Sequence, residues 1–150
     1  MQKAGFDLRP VRITSIEQAQ LMREIRNTCR EGFSRDNNLI SEKQQIGWWE
    51  KNSDKIMAFL FYKKGMVIGY GALITGEDGR YYNSNAVLPR YRGRGYGRAI
   101  LSCLAEYIDQ DIYGQALKSN IPAIKQHSSD LWERYDEDNA VVRFRTRKAV

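Results

Sequence analysis

Between residues 56 and 88 helical spacing gives way to three consecutive strand-like runs, and this stretch constrains the fold more than any other. Residues 56–62 are continuously apolar and aromatic, residues 66–75 form a second run, and residues 80–88 form a third that ends at Pro89. Lys63-Lys64-Gly65 and Gly76-Glu77-Asp78-Gly79 separate them, and both are turn compositions. Short turns of this kind pair neighbouring strands antiparallel, so the middle of the chain is a meander.

Helical patterns flank the meander. Thr14-x-x-Glu17 reads as a capping box, followed by Ile16, Ala19, Leu21, Met22 and Ile25 at helical spacing. Ser41-x-x-Gln44 opens a short second helix that carries Ile46, Trp48 and Trp49 and is stopped by Asn52, Ser53 and Asp54. Residues 6–11 alternate as a first strand, and residues 34–38 read as loop. Beyond the meander lie a Gly/Arg-rich loop at 90–97 and a helix with Ala99, Ile100, Cys103, Leu104 and Tyr107 on one face. A strand at 112–117, a helix at 120–132 and a final alternating strand at 140–146 complete the chain. The order β-α-α-β-β-β-α-β-α-β has no repeat and no linker, so residues 1–150 read as one mixed α/β (α+β) domain.

Composition narrows the classes. No run of 18 apolar residues offers a membrane span, and Asp7 and Arg9 interrupt any leader pattern at the start, so a cytoplasmic protein is expected. Cys29 and Cys103 are too few and too far apart for a disulfide framework or a metal site, and the single histidine, His127, cannot complete one. No metal is expected, and the cysteines read as free core thiols. The chain carries 24 Lys plus Arg against 18 Asp plus Glu, a net charge of +6. Arg90, Arg92, Arg94 and Arg98 crowd one loop, and Arg143, Arg145, Arg147 and Lys148 crowd the C-terminus. Charge gathered this way suits a compact polyanion at least as well as a nucleic-acid duplex. The C-terminal strand reads as an edge strand kept soluble by its charge.

The stretch from Val87 to Arg98 carries the chemistry. A strand ends at Val87-Leu88-Pro89, and glycines at 93, 95 and 97 then open a helix whose first turn is basic. Such glycines let backbone N–H groups converge, a helix start adds unpaired donors, and arginines add charge at the rim. That combination cradles a pyrophosphate. It lacks the Gly-Lys-Ser/Thr of a P-loop and the Gly-x-Gly-x-x-Gly of a dinucleotide fold.

Arg92-Gly93-Arg94-Gly95-Tyr96-Gly97 resembles the Gln/Arg-x-x-Gly-x-Gly/Ala motif of the GNAT superfamily of N-acetyltransferases, and Val87-x-Pro89-x-Tyr91-Arg92 resembles the strand end before it. With the element order, the resemblance covers residues 6–147. It implies a twisted, mostly antiparallel mixed sheet flanked by helices. It also implies acetyl-CoA as co-substrate, its pyrophosphate on Arg92, Gly93, Arg94, Gly95, Tyr96, Gly97 and Arg98. The pantetheine would pair with the backbone of Ala86, Val87 and Leu88. Acyl transfer to a primary amine would proceed by direct attack in a ternary complex. The segment Asn120-x-x-Ala123 is similar to the start of the family's last helix, where the Asn contacts the CoA arm. His127 stands where the family often places a Tyr that protonates the leaving thiolate, and Leu131-Trp132 replaces the usual Gly-Phe. The strand that often holds an acidic base carries Asn83 and Asn85 instead, which leaves a water relay or an amine arriving neutral. Arg26-Asn27 and Ile40-Ser41 with Gln45 and Trp48 loosely resemble acetyltransferases of amino-sugar nucleotides. Arg26, Arg30 and Arg35 otherwise form a solvated face. A CoA- or RNA-binding module without catalysis and an acetyltransferase of protein lysines or N-termini are the alternatives. Nucleic acid and membrane are not expected partners, and homodimers are common among proteins the chain resembles.

Overall fold

In the computed structural model the elements run β1 (Arg9–Arg12), α1 (Ile16–Thr28), α2 (Glu42–Asn52), β2 (Ile56–Lys63), β3 (Met66–Thr75) and β4 (Tyr81–Val87). They continue with α3 (Tyr96–Ala105), β5 (Ile112–Leu117), α4 (Ile121–Gln126), β6 (Trp132–Glu137) and β7 (Val141–Thr146). Residues 7–33, 38–127 and 132–146 are described. All seven strands join one sheet in the order β1-β2-β3-β4-β5-β7-β6, antiparallel at every pairing except β4 with β5.

The apolar run at 56–62 fails to alternate because β2 is covered on both faces. Ala58 and Leu60 pack with Ile13, Ala19, Met22 and Ile25 under α1, whereas Phe59 and Phe61 pack with Ile100, Leu101 and Leu104 of α3. Helix α3 sits close because Gly71 has no side chain: a Cβ there would meet Ile100 Cγ2 at 2.5 Å and Leu104 Cδ1 at 3.2 Å. Across the sheet Gln45 of α2, buried, donates from Nε2 to the Ala19 carbonyl at 2.8 Å and ties α2 to α1. Cys29 and Cys103 are free and buried, and burial pushes both thiols above their ordinary range. No helix among the described residues is long and apolar enough to cross a membrane.

Several expectations shift. The first capping box lies one residue later, with Ser15 as cap and Gln18 as its partner, while Ser41 and Gln44 form the second as expected. The first strand is Arg9–Arg12, and Phe6 lies outside the described residues. Tyr107 falls beyond α3 and is 41% exposed.

The largest correction concerns the C-terminus. The helix expected through residue 132 ends at Gln126, and Trp132 instead opens β6, a strand absent from the sequence reading. Trp132 is buried, but the rest of Trp132–Glu137 is charged apart from Tyr135 and mostly exposed, so the segment shows no apolar alternation. Its turn is closed by Asp138, whose Oδ1 accepts from the amides of Ala140 at 2.8 Å and Val141 at 3.0 Å. Strand β7 is therefore internal and β6 is the edge. The arginines of β7 face acids across the turn: Arg143 meets Asp136 and Asp138, and Arg145 meets Glu133 at 2.6 Å. That pairing removes much of the free positive charge a nucleic-acid face would need. Arg147 and Lys148 lie outside the described residues.

Candidate active site

Strands β4 and β5 pair only at Tyr81 with Ile112 and Tyr82 with Tyr113. Beyond that pair they part, because β4 runs on against β3 while β5 runs on against β7. Parting strands leave backbone polar groups without a ladder partner. The Leu88 amide donates to Ile68 O at 2.9 Å on the β3 side, so the alternation of strand hydrogen bonding turns the amides of Val87 and Asn85 toward the gap. The gap opens into a cavity of about 1570 Å³ that passes from the α3–α4 face of the sheet to the α1–α2 face.

At the outer end of this cavity the chain leaves β4 through the 3₁₀ turn Pro89–Tyr91 and enters α3 at Gly95. Gly93 and Gly95 have φ of +77° and +86°, a conformation that L side chains rarely adopt. Gly95 caps α3 and has no side chain to bond the amides that the first turn of a helix leaves without intrahelical partners. A Cβ on Gly93 would meet nothing within 4 Å, so the loop is open on that side. Open amides, the positive end of a helix dipole and exposed Arg94 and Arg98 make an anion site that fits a pyrophosphate. The residues of the loop contribute differently. The Tyr96 side chain is buried in the core and is not offered to a ligand. Arg98 donates to the Lys125 carbonyl at 3.0 Å and links α3 to α4. Arg92 folds back, its Nε donating to the Val87 carbonyl at 3.0 Å.

That bond narrows the expected pantetheine strip. Ala86 pairs with Tyr70 and the Leu88 amide is spent on β3, so within residues 86–88 the gap-side donor is the Val87 amide. Cys29 Sγ also approaches the Val87 carbonyl, at 3.5 Å. Asn120 is engaged at both ends: its Oδ1 accepts from the Ala123 amide at 3.2 Å and its Nδ2 donates to Gly32 O at 3.0 Å. It caps α4 while lining the cavity.

At the inner end, where β4 and β5 separate, the expected catalytic residues come together. Asn83 Nδ2 donates to Asn85 Oδ1 at 2.8 Å, and Asn85 Nδ2 donates to Gln126 Oε1 at 3.2 Å. Gln126 in turn fills the space that a Cβ on Gly97 would need. His127 follows α4 and is 4% exposed, its ring stacked on Phe144 with centroids 4.9 Å apart and edge-on to Trp132 at 4.7 Å. Its Nδ1 lies 2.8 Å from the Ala123 carbonyl. A carbonyl only accepts, so the neutral ring carries its proton on Nδ1 and a lone pair on Nε2. Burial pushes His127 below the ordinary histidine value, and the Ala123 bond offsets part of that shift. At neutral pH the ring is therefore a proton acceptor, which qualifies the acid role expected from its position. Leu131, the neighbouring departure from the family pattern, lies outside the described residues.

On the α1–α2 face the cavity wall includes Arg26, Phe33, Trp48, Tyr70, Tyr82 and Ser84. Tyr70 is buried, shares a hydrogen bond of 2.9 Å with Ser84 Oγ, and is pushed up to about 12 by that burial, so it is a neutral phenol. Nothing in the sequence set it apart from its strand neighbours. The Arg26 guanidinium lies 4.2 Å from the Phe33 ring. Asn27 and Gln45 serve the scaffold instead: Asn27 bonds both the amide and the carbonyl of Ile40 at 2.9 Å, and Gln45 holds α1. Arg35 lies outside the described residues.

A mixed sheet that splits between two parallel strands, with a glycine-rich helix start at the mouth of the split, defines an acyl-CoA-binding acetyltransferase fold. Residues 19–129 match the model of the acetyltransferase (GNAT) family, and the chain belongs to that family of acyl-CoA-dependent N-acetyltransferases. Solved structures agree in fold. An N-acetyltransferase from Staphylococcus aureus Mu50 superposes with a TM-score of 0.76 at 16% identity, covering 95% of this chain and 99% of that one. Spermidine N-acetyltransferase from Vibrio cholerae, solved with CoA and spermine, gives 0.75 at 14% identity over 92% and 94%. The Campylobacter jejuni N-acetyltransferase PseH, solved with acetyl coenzyme A, gives 0.69 at 14% identity over 95% and 99%. No curated protein matches the chain in sequence.

Proposed function

We propose that this chain transfers an acetyl group from acetyl-CoA to the primary amine of a small molecule by direct attack in a ternary complex. The observation that carries the reading is the continuity of one cavity from the open helix start at Gly95, past the gap-side amides of β4, to Asn83, Asn85 and His127. Residues 92–98 hold the pyrophosphate, and the Val87 and Asn85 amides hold the pantetheine arm. A backbone donor at this strand end also polarises the thioester carbonyl. Asn83 and Asn85 position a water at the reacting end, and His127 handles the protons there.

The acceptor enters from the α1–α2 face. Arg26 and Trp48 in its wall pair a cation with a flat apolar surface, which supports an acceptor bearing negative charge and a ring, as an amino-sugar nucleotide does.

Calorimetric titration of acetyl-CoA followed by an amine panel tests the reading. Tight binding with turnover on amino-sugar nucleotides supports it in full. Turnover only on basic peptides moves the acceptor to protein, and binding without turnover on any amine makes the chain a CoA-binding module. No binding removes the acetyltransferase reading.

A further inference from the structure

Two buried acceptors face each other at the inner end of the cavity. Asn83 Oδ1 and His127 Nε2 have no hydrogen-bond partner among the described residues, and each is cut off from bulk water. The orientation of Asn83 follows from its neighbours, since its Nδ2 is spent on Asn85, whose own Nδ2 is spent on Gln126. The imidazole is held the same way, by Nδ1 on the Ala123 carbonyl and by the stack on Phe144. Both orphan atoms converge over Gly114 of β5. A Cβ on Gly114 would collide with Asn83 Oδ1 and stand 3.0 Å from His127 Nε2. Gly114 is the first β5 residue past the last pairing with β4, so this point is the apex of the split.

Two lone pairs aimed at one enclosed point are costly unless a donor of two protons lies between them, and a water is the smallest such donor. Resting on the acetyl-transfer reading above, we propose that Asn83 Oδ1 and His127 Nε2 hold one water over Gly114, and that His127 shuttles the reaction's proton through it. His127 first accepts and then donates. When the amine lone pair forms the C–N bond, the nitrogen becomes acidic; the water passes one N–H proton to Nε2 and leaves an imidazolium. The C–S bond then breaks with its electron pair on sulfur, and Nε2 returns the proton there. Amine and thioester become amide and thiol, and the ring ends as it began. An imidazole disposed to be neutral suits the second half, because its conjugate acid gives the proton up readily. Among the described residues the charged side chains nearest His127 on this face are Arg98, Lys125 and Arg134, all exposed, with Arg134 lying over the Phe144 ring at 5.9 Å. Glu133, Arg143 and Arg145 alternate to the opposite face.

His127 is the chain's one histidine, so protein labelled with 15N-histidine gives a single imidazole to observe. At pH 7 the expected NMR signature is a protonated Nδ1 and an unprotonated Nε2, with a titration midpoint below that of a free histidine. An Nε2-protonated neutral ring, or an imidazolium at pH 7, overturns the proposal. Asn83→Ala removes one anchor of the water and is expected to move the Nε2 resonance while leaving Nδ1 in place; an unmoved Nε2 overturns the shared water. In acetyl-CoA consumption with hydroxylamine, a nucleophile small enough to need no acceptor pocket, His127→Gln is expected to lower kcat by about 10²–10⁴-fold with acetyl-CoA affinity retained. An unchanged kcat overturns the shuttle. Loss of acetyl-CoA binding by the wild type would instead overturn the acetyl-transfer reading, and the NMR result would stand apart from it.

Discussion

At the outer end of the cavity, residues 92–98 offer a ligand main-chain amides and exposed guanidinium groups; at the inner end, Asn83, Asn85, Gln126 and His127 offer buried side chains. The outer site depends on local backbone conformation, since two positive φ values and one helix start suffice to build it. The inner site depends on β4, β5 and α4 meeting at one point, and the bond from Asn85 to Gln126 joins residues 41 positions apart. Glycine shows the contrast. Gly93 and Gly95 are required for their φ, whereas Gly114 is required because a side chain there would collide with Asn83 Oδ1 and crowd His127 Nε2.

The sharpest way to break the comparison is Gly95→Glu. A carboxylate at the start of α3 would face the pyrophosphate in the proposed binding mode, and like charges in contact cost several kcal/mol, so acetyl-CoA affinity should fall by roughly a thousandfold. Calorimetry checks this against Gly95→Gln, which carries the same backbone strain at φ +86° without the charge, so that the difference between the two variants reads the repulsion. Loss of charge alone is milder, and Arg94→Ala at the exposed rim should cost about tenfold or less.

Gly114→Ala comes next and should lower stability by about 1–3 kcal/mol through overpacking, read as the urea midpoint. Gly93→Asn and Gly114→Asn separate the two uses of glycine. Asn tolerates the left-handed conformation, so the first should keep most of the stability and the second should not. Equal losses would erase the distinction.

His127 adds a pH dependence of smaller size. Its folded value lies below the ordinary 6.5, so its burial is compatible with full stability above that value, and stability falls as pH drops below it because the unfolded chain takes up the proton first. Thermal denaturation between pH 7 and 5 should show this slope in the wild type and a flatter one in His127→Gln. The smallest effect belongs to Asp138, exposed at the β6–β7 turn. Bonds from the amides of Ala140 and Val141 and from Arg143 hold it at about 2 against an ordinary 3.8. Its contribution is present above 3.8 and fades as pH falls toward 2, so Asp138→Asn should flatten the acid limb there and leave acetyl-CoA binding unchanged.

Much of the architecture was legible. The meander, both first helices, α3, β5 and β7 follow from apolar runs, turn residues and caps that lie close together in the chain. The failures share a cause. Ser15 rather than Thr14 caps α1, its hydroxyl bonding the Gln18 amide and the Gln18 side chain reaching back to Ser15, a pairing one residue away from an equally suitable pair in the sequence. Strand β6 escaped because an edge strand built from Glu, Arg, Tyr and Asp has only Trp132 to bury and draws its hydrogen bonds from β7. Tyr70 escaped because its burial comes from the cluster under α1 and its hydroxyl's partner, Ser84, lies on the adjacent strand.

Neighbouring residues alone set the glycine-rich loop and the layered fold that presents it, because glycine conformation, helix starts and strand periodicity are local properties. What only the tertiary structure decided was the state of the chemistry. The sequence placed a histidine four residues after Ala123, where an acid was expected. The turn of α4 put Nδ1 on that residue's carbonyl, and Phe144 and Trp132 from two distant strands closed over the ring. A proton's position on an imidazole is set by its partners and its solvation, and both are assembled only when the chain is folded.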